Sequence, residues 1–310
     1  MARIVRVAAF TDLLEKSPRT VQDNLDWTCG ILDRMACEKP DIVCLTEVFD
    51  TIGTGLKHAE MAQSLEGPTF PRMMEKAREH GFNIVCAFTE QRENGIYNVA
   101  AVIDRQGSLA GRYDKIHPTN SEIEDGVLPG KTGPTVIPTD VARIGCQICF
   151  DANWHADWGA LKQAGAEIVF FPSAFSGGRI VQAIATLYHL PVVAACCRQC
   201  CRIVDRDGLI LNRQGVYQPW VLASLDLDTP LFHLDYQFEK LEAIRKDFGP
   251  AVTIRVYEEE GWWRILPNAP DVNVSQIVAD YHLETLDDYI ARSEAFQKAH
   301  RLPVDANPGA

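Results

Sequence analysis

The sequence lacks the long apolar run that a membrane-spanning helix requires. No stretch approaches the roughly 20 consecutive apolar residues of such a helix. Met1 to Phe10 is too short, and too interrupted by Arg3 and Arg6, for a secretory signal. A basic excess is also missing, since 30 Lys and Arg stand against 42 Asp and Glu, a net charge of −12. We therefore expect a cytoplasmic protein that binds neither nucleic acid nor membrane.

The ten cysteines lack the arrangement of a disulfide framework or a zinc site. Most lie inside apolar segments of a long chain, as Cys44, Cys86 and Cys146 do, where reduced, buried thiols are expected. The cluster Cys196 to Cys201 contains a C-x-x-C spacing, but no second ligand pair at zinc-site spacing accompanies it. We predict that it belongs to two strands and the turn beside them. A non-enzymatic or redox protein using Cys197 and Cys200 is the remote alternative.

Apolar residues are plentiful, at 46% of 310 residues, so the chain can bury a large core. Strand and helix patterns alternate through residues 1–225, in the order β-α-β-β and then β-α-β-α-β-β. This order predicts an α/β domain with two sheets, each covered by helices. For residues 226–310 we predict an extension that is too thin to bury its own apolar residues. These are Phe232, Trp262, Trp263 and Ile265. We expect it to pack on the domain or on a partner subunit.

The stretch Arg143 to Trp158 (RIGCQICFDANWHADW) changes from a strand pattern to a helix pattern. Ile144 to Phe150 is short, apolar and free of proline, as in a buried strand. From Asp151, apolar residues recur every three or four positions until Gly165, as on one face of a helix. Cys149 would then lie at the turn, where backbone N–H groups and the helix dipole favour a thiolate and can hold an oxyanion. The alternative is a cysteine that only packs.

Two charged residues, Glu47 and Lys115, also follow apolar strand patterns. Ligands of α/β sheets collect at the carboxyl ends of strands, so we expect both side chains in one pocket with Cys149. Together they supply a nucleophile, a general base and an ammonium that stabilises developing negative charge. A papain-like hydrolase would instead use a histidine base, and the candidates are His117, His155 and His189. That hypothesis leaves Glu47 and Lys115 without a role.

These motifs, in this order, resemble the nitrilase or carbon–nitrogen hydrolase superfamily over about residues 3–225. DIVCLTE matches the family's general base to Glu47, GRYDKIHPTNSE its catalytic lysine to Lys115, and GCQICFDANW its nucleophile to Cys149. The P-T-x-x-E spacing matches the family's second glutamate to Glu122, with Glu124 as the weaker match.

The resemblance implies a four-layer αββα sandwich that forms homodimers or higher homo-oligomers, with no metal or organic cofactor. It also implies hydrolysis of a non-peptide carbon–nitrogen bond through a cysteine thioester. After the cysteine, this chain has Phe150-Asp151, where most nitrilases have Trp-Glu. It has Trp154-His155 where many amidases and carbamoylases have Pro-Glu. The K-I-H motif that begins at Lys115 is similar to the corresponding motif of amidases. We expect ammonia release from a small amide, with a nitrilase or an N-carbamoyl amidohydrolase as alternatives.

Five residues near the Cys149 turn, or in the loop after the strand Ala166 to Phe171, are candidates for binding the substrate: Phe150, Trp154, His155, Phe175 and Arg179. Arg179 could pair with a substrate carboxylate or brace its own helix. The aromatic residues could equally be part of ordinary packing.

Overall fold

The computed structural model describes residues 3–11, 17–197, 200–269 and 271–302. The chain divides into a larger compact unit, Val5–Leu225, and a smaller one formed chiefly by the residues from Asp226 onwards. The described strands are, in chain order from β1 to β15, Ile4–Phe10, Ile42–Cys44, Asn83–Arg92, Gly95–Ile103, Leu109–Asp114, Val136–Pro138, Arg143–Cys146, Ile168–Ser173, Val192–Cys196, Arg202–Val204, Ile210–Arg213, Trp220–Asp226, Phe232–His233, Val252–Tyr257 and Trp262–Pro267. The described α-helices, α1 to α9, are Val21–Met35, His58–Met61, Thr69–His80, Asn120–Glu124, His155–Gln163, Gly178–Tyr188, Phe238–Phe248, Val274–Asp280 and Leu286–His300.

The larger unit contains two six-stranded sheets. The first has the order β12-β1-β2-β3-β4-β5 and the second the order β11-β10-β9-β8-β7-β6. Strands β1, β2 and β3 pair in parallel, as do β7, β8 and β9. Strands β2, β8 and β9 are buried at every residue, as expected for the centre of sheets covered on both sides. Their carboxyl ends are therefore available to present functional side chains.

The layers are α1 and α3, the first sheet, the second sheet, and α5 with α6. Strand β2 of the first sheet packs against β8 and β9 of the second, so the sheets lie face to face. On the outer side of the first sheet, α1 and α3 cover one core cluster, which includes Leu32 and Met73. The second sheet forms another with α5 and α6, around Leu161 and Ile184. The predicted αββα sandwich is confirmed.

Local sequence signals fix the ends of several helices. Thr20 caps α1, and its hydroxyl accepts the Asp23 N–H while the Asp23 carboxylate accepts the Thr20 N–H, a capping box. Gly81 ends α3 in the left-handed conformation. The prediction that a helix begins at Asp151 is wrong. Cys149–Asn153 forms a 3₁₀ turn, and α5 begins only at His155.

The smaller unit has its own core, contrary to our expectation of a thin extension. Strands β13, β15 and β14 form a three-stranded sheet that the sequence did not predict. Phe232, Trp263 and Ile265 are fully buried in a cluster with residues of α7 and α8, such as Leu241 and Ile277. The strand pairing was missed because Trp262–Pro267 mixes aromatic, charged and aliphatic residues without a clean alternation.

Within the described ranges, the structure contains no helix long and apolar enough to cross a membrane.

Candidate active site

Glu47, Lys115 and Cys149 line a single cavity of about 190 Å³. Glu47 follows β2 and Lys115 follows β5, both in the first sheet. Cys149 follows β7 of the second sheet, and Ala174 follows its neighbour β8. The site is thus assembled from both sheets of the sandwich. The other residues that line the cavity are Val48, His58, Thr119, Ser121 and Glu122.

Lys115 connects the two glutamates of the site. Its ammonium Nζ lies 2.8 Å from Glu47 Oε1, and 3.0 and 2.8 Å from Glu122 Oε1 and Oε2. All three side chains are at least 94% buried. Burial disfavours the charge of Lys115, but the two carboxylates outweigh it and raise its pKa above the ordinary value. Lys115 therefore carries a fixed positive charge at neutral pH.

The same charge acts on Glu122. Burial raises its pKa, but the Lys115 ammonium and the Asn98 hydrogen bond outweigh burial, and the net pKa is lowered. Thr119 caps α4, and its N–H donates to Glu122 Oε2 at 2.8 Å. This cap fixes the carboxylate against Lys115. Glu124, the weaker match in the sequence, lies exposed on α4.

Asn98, which the sequence analysis did not single out, connects both glutamates a second time. Its Nδ2 donates to Glu47 Oε1 at 2.9 Å and to Glu122 Oε1 at 2.7 Å. Its backbone carbonyl accepts the Lys115 N–H at 2.9 Å. The only signal in the sequence was a single polar residue in the middle of the apolar strand β4. The backbone N–H of Ala174 adds a donor to Glu47 Oε2, at 2.8 Å.

Cys149 lies in a tight turn with a left-handed backbone, at φ 48°. This conformation is uncommon for a residue other than glycine, and it marks a site where the surrounding contacts hold the backbone. Asp151 provides them. Its Oδ2 accepts the Ile148 N–H and the Tyr113 hydroxyl, each at 2.8 Å, and its Oδ1 accepts the His117 N–H at 2.9 Å. Asp151 thus fastens the Cys149 turn to the segment that carries Lys115.

The environment of Cys149 favours the thiol rather than the expected thiolate. Burial, together with the Glu47 carboxylate and its hydrogen bond, raises the pKa of Cys149 to about 12, although the Lys115 ammonium acts in the opposite direction. The helix-terminus argument failed because α5 begins six residues later, at His155, and Cys149 begins only a short 3₁₀ turn. For Cys149 to act as a nucleophile, a base would have to take its proton, and the Glu47 carboxylate is the neighbouring group that could accept it.

The five predicted substrate-binding residues are not among those that line the cavity. Phe150, Trp154 and Phe175 are 37–39% exposed, and His155 and Arg179 are also exposed. Trp154 stacks on His117 with ring centroids 3.8 Å apart. Their role in substrate binding stays a prediction. His58, which the sequence analysis did not name, is the histidine that lines the cavity in the described part of the chain.

The histidines of the papain-like alternative lie elsewhere. His117 Nε2 lies 2.7 Å from Asp157 Oδ2, and His155 and His189 do not line the cavity. The cysteine cluster runs from Cys196, the last residue of β9, to Cys201, directly before β10, so it lies beside two strands as predicted; Arg198 and Gln199 are outside the described residues. Among described residues, the group with metal-ligand spacing is Asp33, Glu79 and His80, and it includes no cysteine.

Residues 7–229 match the model of the carbon–nitrogen hydrolase family. The chain belongs to this family. This carbon–nitrogen hydrolase is 24% identical over 241 residues to an omega-amidase from Homo sapiens, a match that covers 72% of this chain and 86% of that protein. It is 37% identical over 110 residues to an N-carbamoylputrescine amidase from Solanum tuberosum, covering 34% of this chain and 37% of the other. The matched segment thus spans little more than a third of that relative.

Solved structures of the superfamily share the fold of this carbon–nitrogen hydrolase. Nit3 from Saccharomyces cerevisiae, described as a member of branch 10 of the nitrilase superfamily, superimposes with a TM-score of 0.64 at 20% identity. The match covers 80% of this chain and 95% of that one. The predicted resemblance of this sequence to the carbon–nitrogen hydrolase superfamily is confirmed.

Proposed function

We propose that this protein hydrolyses a small amide to a carboxylic acid and ammonia through a thioester on Cys149. The observation that supports it most directly is the contact of Glu47 with Lys115 at 2.8 Å in the cavity that Cys149 lines. The two curated relatives described above are both named amidases. Glu47, Lys115, Cys149 and Glu122 are the residues to which we assign the chemistry.

In the first half-reaction, Cys149 Sγ attacks the amide carbon while its proton passes to Glu47. The carbonyl oxygen becomes an oxyanion, and an N–H of the Lys115 ammonium stabilises it. Because Glu122 keeps Lys115 charged, this donor needs no proton transfer of its own. Glu47 then gives its proton to the leaving nitrogen, ammonia departs, and the carbonyl re-forms as a thioester.

In the second half-reaction, a water molecule attacks the thioester carbon while Glu47 accepts a proton from it. Lys115 stabilises the second oxyanion in the same place. Collapse of this intermediate breaks the carbon–sulfur bond and releases the acid, and the proton on Glu47 returns to the sulfur. Glu47 is therefore proposed to act at one position as base and acid in the first half-reaction, and as base and acid again in the second.

Mass spectrometry of the protein mixed rapidly with amides, nitriles and carbamoyl compounds tests this proposal. We expect an acyl adduct on Cys149 with at least one amide, together with ammonia release. Cys149→Ala should form no adduct, whereas the control Cys200→Ala should still form it. Ammonia release by purified Cys149→Ala at the wild-type rate would contradict the assignment, and turnover of nitriles alone would make the protein a nitrilase.

We also propose that the active protein is a homo-oligomer of at least two chains, as the family resemblance implies.

A further inference from the structure

Asn98 is a buried polar residue in the middle of an apolar strand. It lies on β4 and is 1% exposed. Its neighbours Val99 and Ala101 belong to the core under the outer helices, so Asn98 lies on the opposite face of the strand, toward the second sheet. Asparagine is disfavoured in strands, and burying its amide costs free energy. Packing alone would be served by an apolar residue, such as Ala100 two positions on.

The amide of Asn98 presents its N–H groups to the two glutamates of the site. Its Nδ2 lies 2.9 Å from Glu47 Oε1 and 2.7 Å from Glu122 Oε1. Both oxygens also accept from the Lys115 ammonium, at 2.8 and 3.0 Å, so each of them is an acceptor. The reverse orientation of the amide would place its own oxygen against two acceptors. Asn98 and Lys115 thus bridge the same pair of carboxylate oxygens.

The Lys115 ammonium has fewer N–H groups than its proposed task requires. It has three, and three glutamate oxygens already lie within 3.0 Å of Nζ, namely Glu47 Oε1 and both oxygens of Glu122. An oxyanion on the substrate adds a fourth acceptor. An N–H that turns to the oxyanion is therefore shared with, or taken from, a glutamate oxygen.

Each of these oxygens has a second donor, whichever contact Lys115 gives up. Asn98 Nδ2 donates to Glu47 Oε1 and to Glu122 Oε1. The Thr119 N–H donates to Glu122 Oε2 at 2.8 Å. A buried carboxylate oxygen without a donor would carry the full desolvation penalty of its charge. With these donors in place, the oxyanion can gain an N–H of Lys115 without that penalty.

The neutral charge of the amide suits the same reaction. A lysine or arginine could also donate to both carboxylates, but a second positive charge would favour the ionised form of Glu47. The proposed mechanism needs Glu47 to accept the proton of Cys149. Asn98 pairs the carboxylate oxygens without adding a charge that opposes this transfer.

We infer that Asn98 is a positioning residue, which keeps the Glu47 and Glu122 carboxylates paired while an N–H of Lys115 turns to the oxyanion. Asn98 is not among the residues that line the cavity, so it acts through the glutamates. The inference rests on the proposed function, because it concerns the oxyanion of the same reaction.

Single-turnover kinetics of Asn98→Ala with the best amide test the inference. We expect kcat to fall by about 10- to 100-fold, the value of a hydrogen bond to a charged group. The KM should change by less than about twofold, because the donor is needed only when the oxyanion forms. Asn98→Asp keeps the shape of the side chain but lacks the pair of N–H donors, so it should also lose about tenfold or more. Wild-type kcat in either folded variant would overturn the inference.

Asn83, at the start of β3, offers a matched control. It is fully buried, and its Nδ2 also donates twice, to the Asp41 carbonyl at 3.1 Å and to Asp140 Oδ1 at 2.9 Å. In both asparagines, Oδ1 is buried without a hydrogen-bond partner among the described residues. Asn83→Ala should lose stability comparable to that lost by Asn98→Ala in urea titrations, but keep the wild-type kcat. An equal loss of kcat in both variants would mean general damage and would overturn the role of Asn98.

The aldehyde that corresponds to the best amide isolates the oxyanion. Its carbonyl carbon bonds to the Cys149 sulfur, the thiol proton passes to Glu47, and the electron pair of the C=O bond moves to the oxygen, with no leaving group. Asn98→Ala should bind this aldehyde about 10- to 100-fold more weakly than wild type does. Asn83→Ala should bind it as wild type does. Equal affinity in Asn98→Ala and wild type would contradict the inference.

A variant that does not fold leaves the test intact. Asn98→Ser is smaller than asparagine and keeps one hydroxyl donor, which cannot serve both carboxylates. It should therefore also lower kcat and weaken binding of the aldehyde, and circular dichroism shows whether it folds.

Failure of the proposed function would look different. Wild type would then form no acyl adduct on Cys149 with any amide, and both proposals would fall. An adduct in wild type together with unchanged kcat in the Asn98 variants would overturn the role of Asn98 alone.

Discussion

At the scale of single residues, the Lys115 ammonium is held between the carboxylates of Glu47 and Glu122. It is 1% exposed and contacts two carboxylates, so its ammonium is fixed in place before any substrate arrives. A donor that is already oriented needs no reorganisation when an oxyanion forms, which makes it effective in the transition state. Such a residue should act on the chemical step more than on substrate binding.

Lys115→Ala should lower kcat by about 10²–10³-fold and change KM little, because the interaction strengthens only as the oxyanion develops. Single-turnover kinetics with the best amide measure the chemical step directly. Lys115→Arg should not restore the rate, because a planar guanidinium cannot place its charge where the compact ammonium lies. Glu122→Gln should lower kcat less than Lys115→Ala does. A large rise in KM at wild-type kcat would make Lys115 a binding residue.

Asp151 should matter to the rate although it does not touch the substrate cavity. An asparagine at this position has one acceptor oxygen and adds a donor, so Asp151→Asn cannot accept from Ile148 N–H, His117 N–H and the Tyr113 hydroxyl together. The left-handed turn at Cys149 would loosen, and we expect kcat to fall by about 10- to 100-fold, from the loss of one charge-assisted hydrogen bond. The KM should change little. Unchanged kcat in a folded Asp151→Asn would show that the turn is held by other contacts.

At the scale of elements, Asp50 anchors the connection between β2 and α3. Its Oδ2 accepts Gln63 Nε2 and the Thr69 hydroxyl, each at 2.7 Å. Burial raises the pKa of Asp50 from 3.8 to about 6. The folded state therefore binds more protons than the unfolded state between these values, and this group's contribution to stability falls as the pH rises from 4 to 6.

Asp50→Asn removes this titration. The free energy of unfolding of Asp50→Asn minus that of wild type should be about 2 kcal/mol higher at pH 7 than at pH 4.5, because only the wild type loses this contribution. Urea titrations at the two pH values measure the difference, and each protein is its own control for the pH dependence of all other groups. Identical pH dependence in both proteins would show that Asp50 does not titrate in this range.

Gly130 sets the position of the strand end that carries Lys115. Its N–H donates to the Lys115 carbonyl at 2.8 Å, and a Cβ at Gly130 would lie 2.3 Å from the Asp114 carbonyl oxygen. Gly130→Ala should therefore displace this backbone, destabilise the protein by about 1–3 kcal/mol and lower activity. Gly30→Ala is the matched control, because Gly30 is exposed in α1 and its Cβ would meet nothing within 4 Å. That change should stabilise the helix by up to about 1 kcal/mol.

Thermal unfolding and ammonia release by both glycine variants check these expectations. A Gly130→Ala protein with wild-type stability and rate would mean that the strand end can move without affecting Lys115.

The sequence predicted the elements whose signals are local. Glu47, Lys115 and Cys149 could be found because each follows a strand, and the carboxyl ends of strands in α/β sheets collect functional residues. Asn98 could not, since its role depends on partners 24 and 51 residues away. The pKa of Cys149 depends on burial and on Glu47, neither of which the pattern around it reveals. The predicted helix start at Asp151 was wrong because the Asp151 carboxylate accepts the N–H of Ile148, in the preceding turn, instead.

At the scale of the whole molecule, the smaller unit changes one reason for expecting an oligomer. We expected exposed apolar residues in residues 226–310 to need a partner, but Phe232, Trp263 and Ile265 are buried in their own core. The oligomer now rests on the family resemblance alone. Sedimentation velocity at micromolar concentration should show no species of 34.6 kDa, the mass of one chain. A single monomeric species would contradict the proposal.

The origin of the proposed active site in both sheets has a consequence for refolding. Glu47 and Lys115 come from the first sheet, whereas Cys149 and the Ala174 N–H come from the second. Before the two sheets have docked, Glu47 and Lys115 in the first sheet are therefore separated from Cys149 in the second. We expect such an intermediate to be inactive however complete its secondary structure. Recovery of enzyme activity after dilution from denaturant thus reports the docking of the two sheets, and it should lag behind the recovery of the circular dichroism signal.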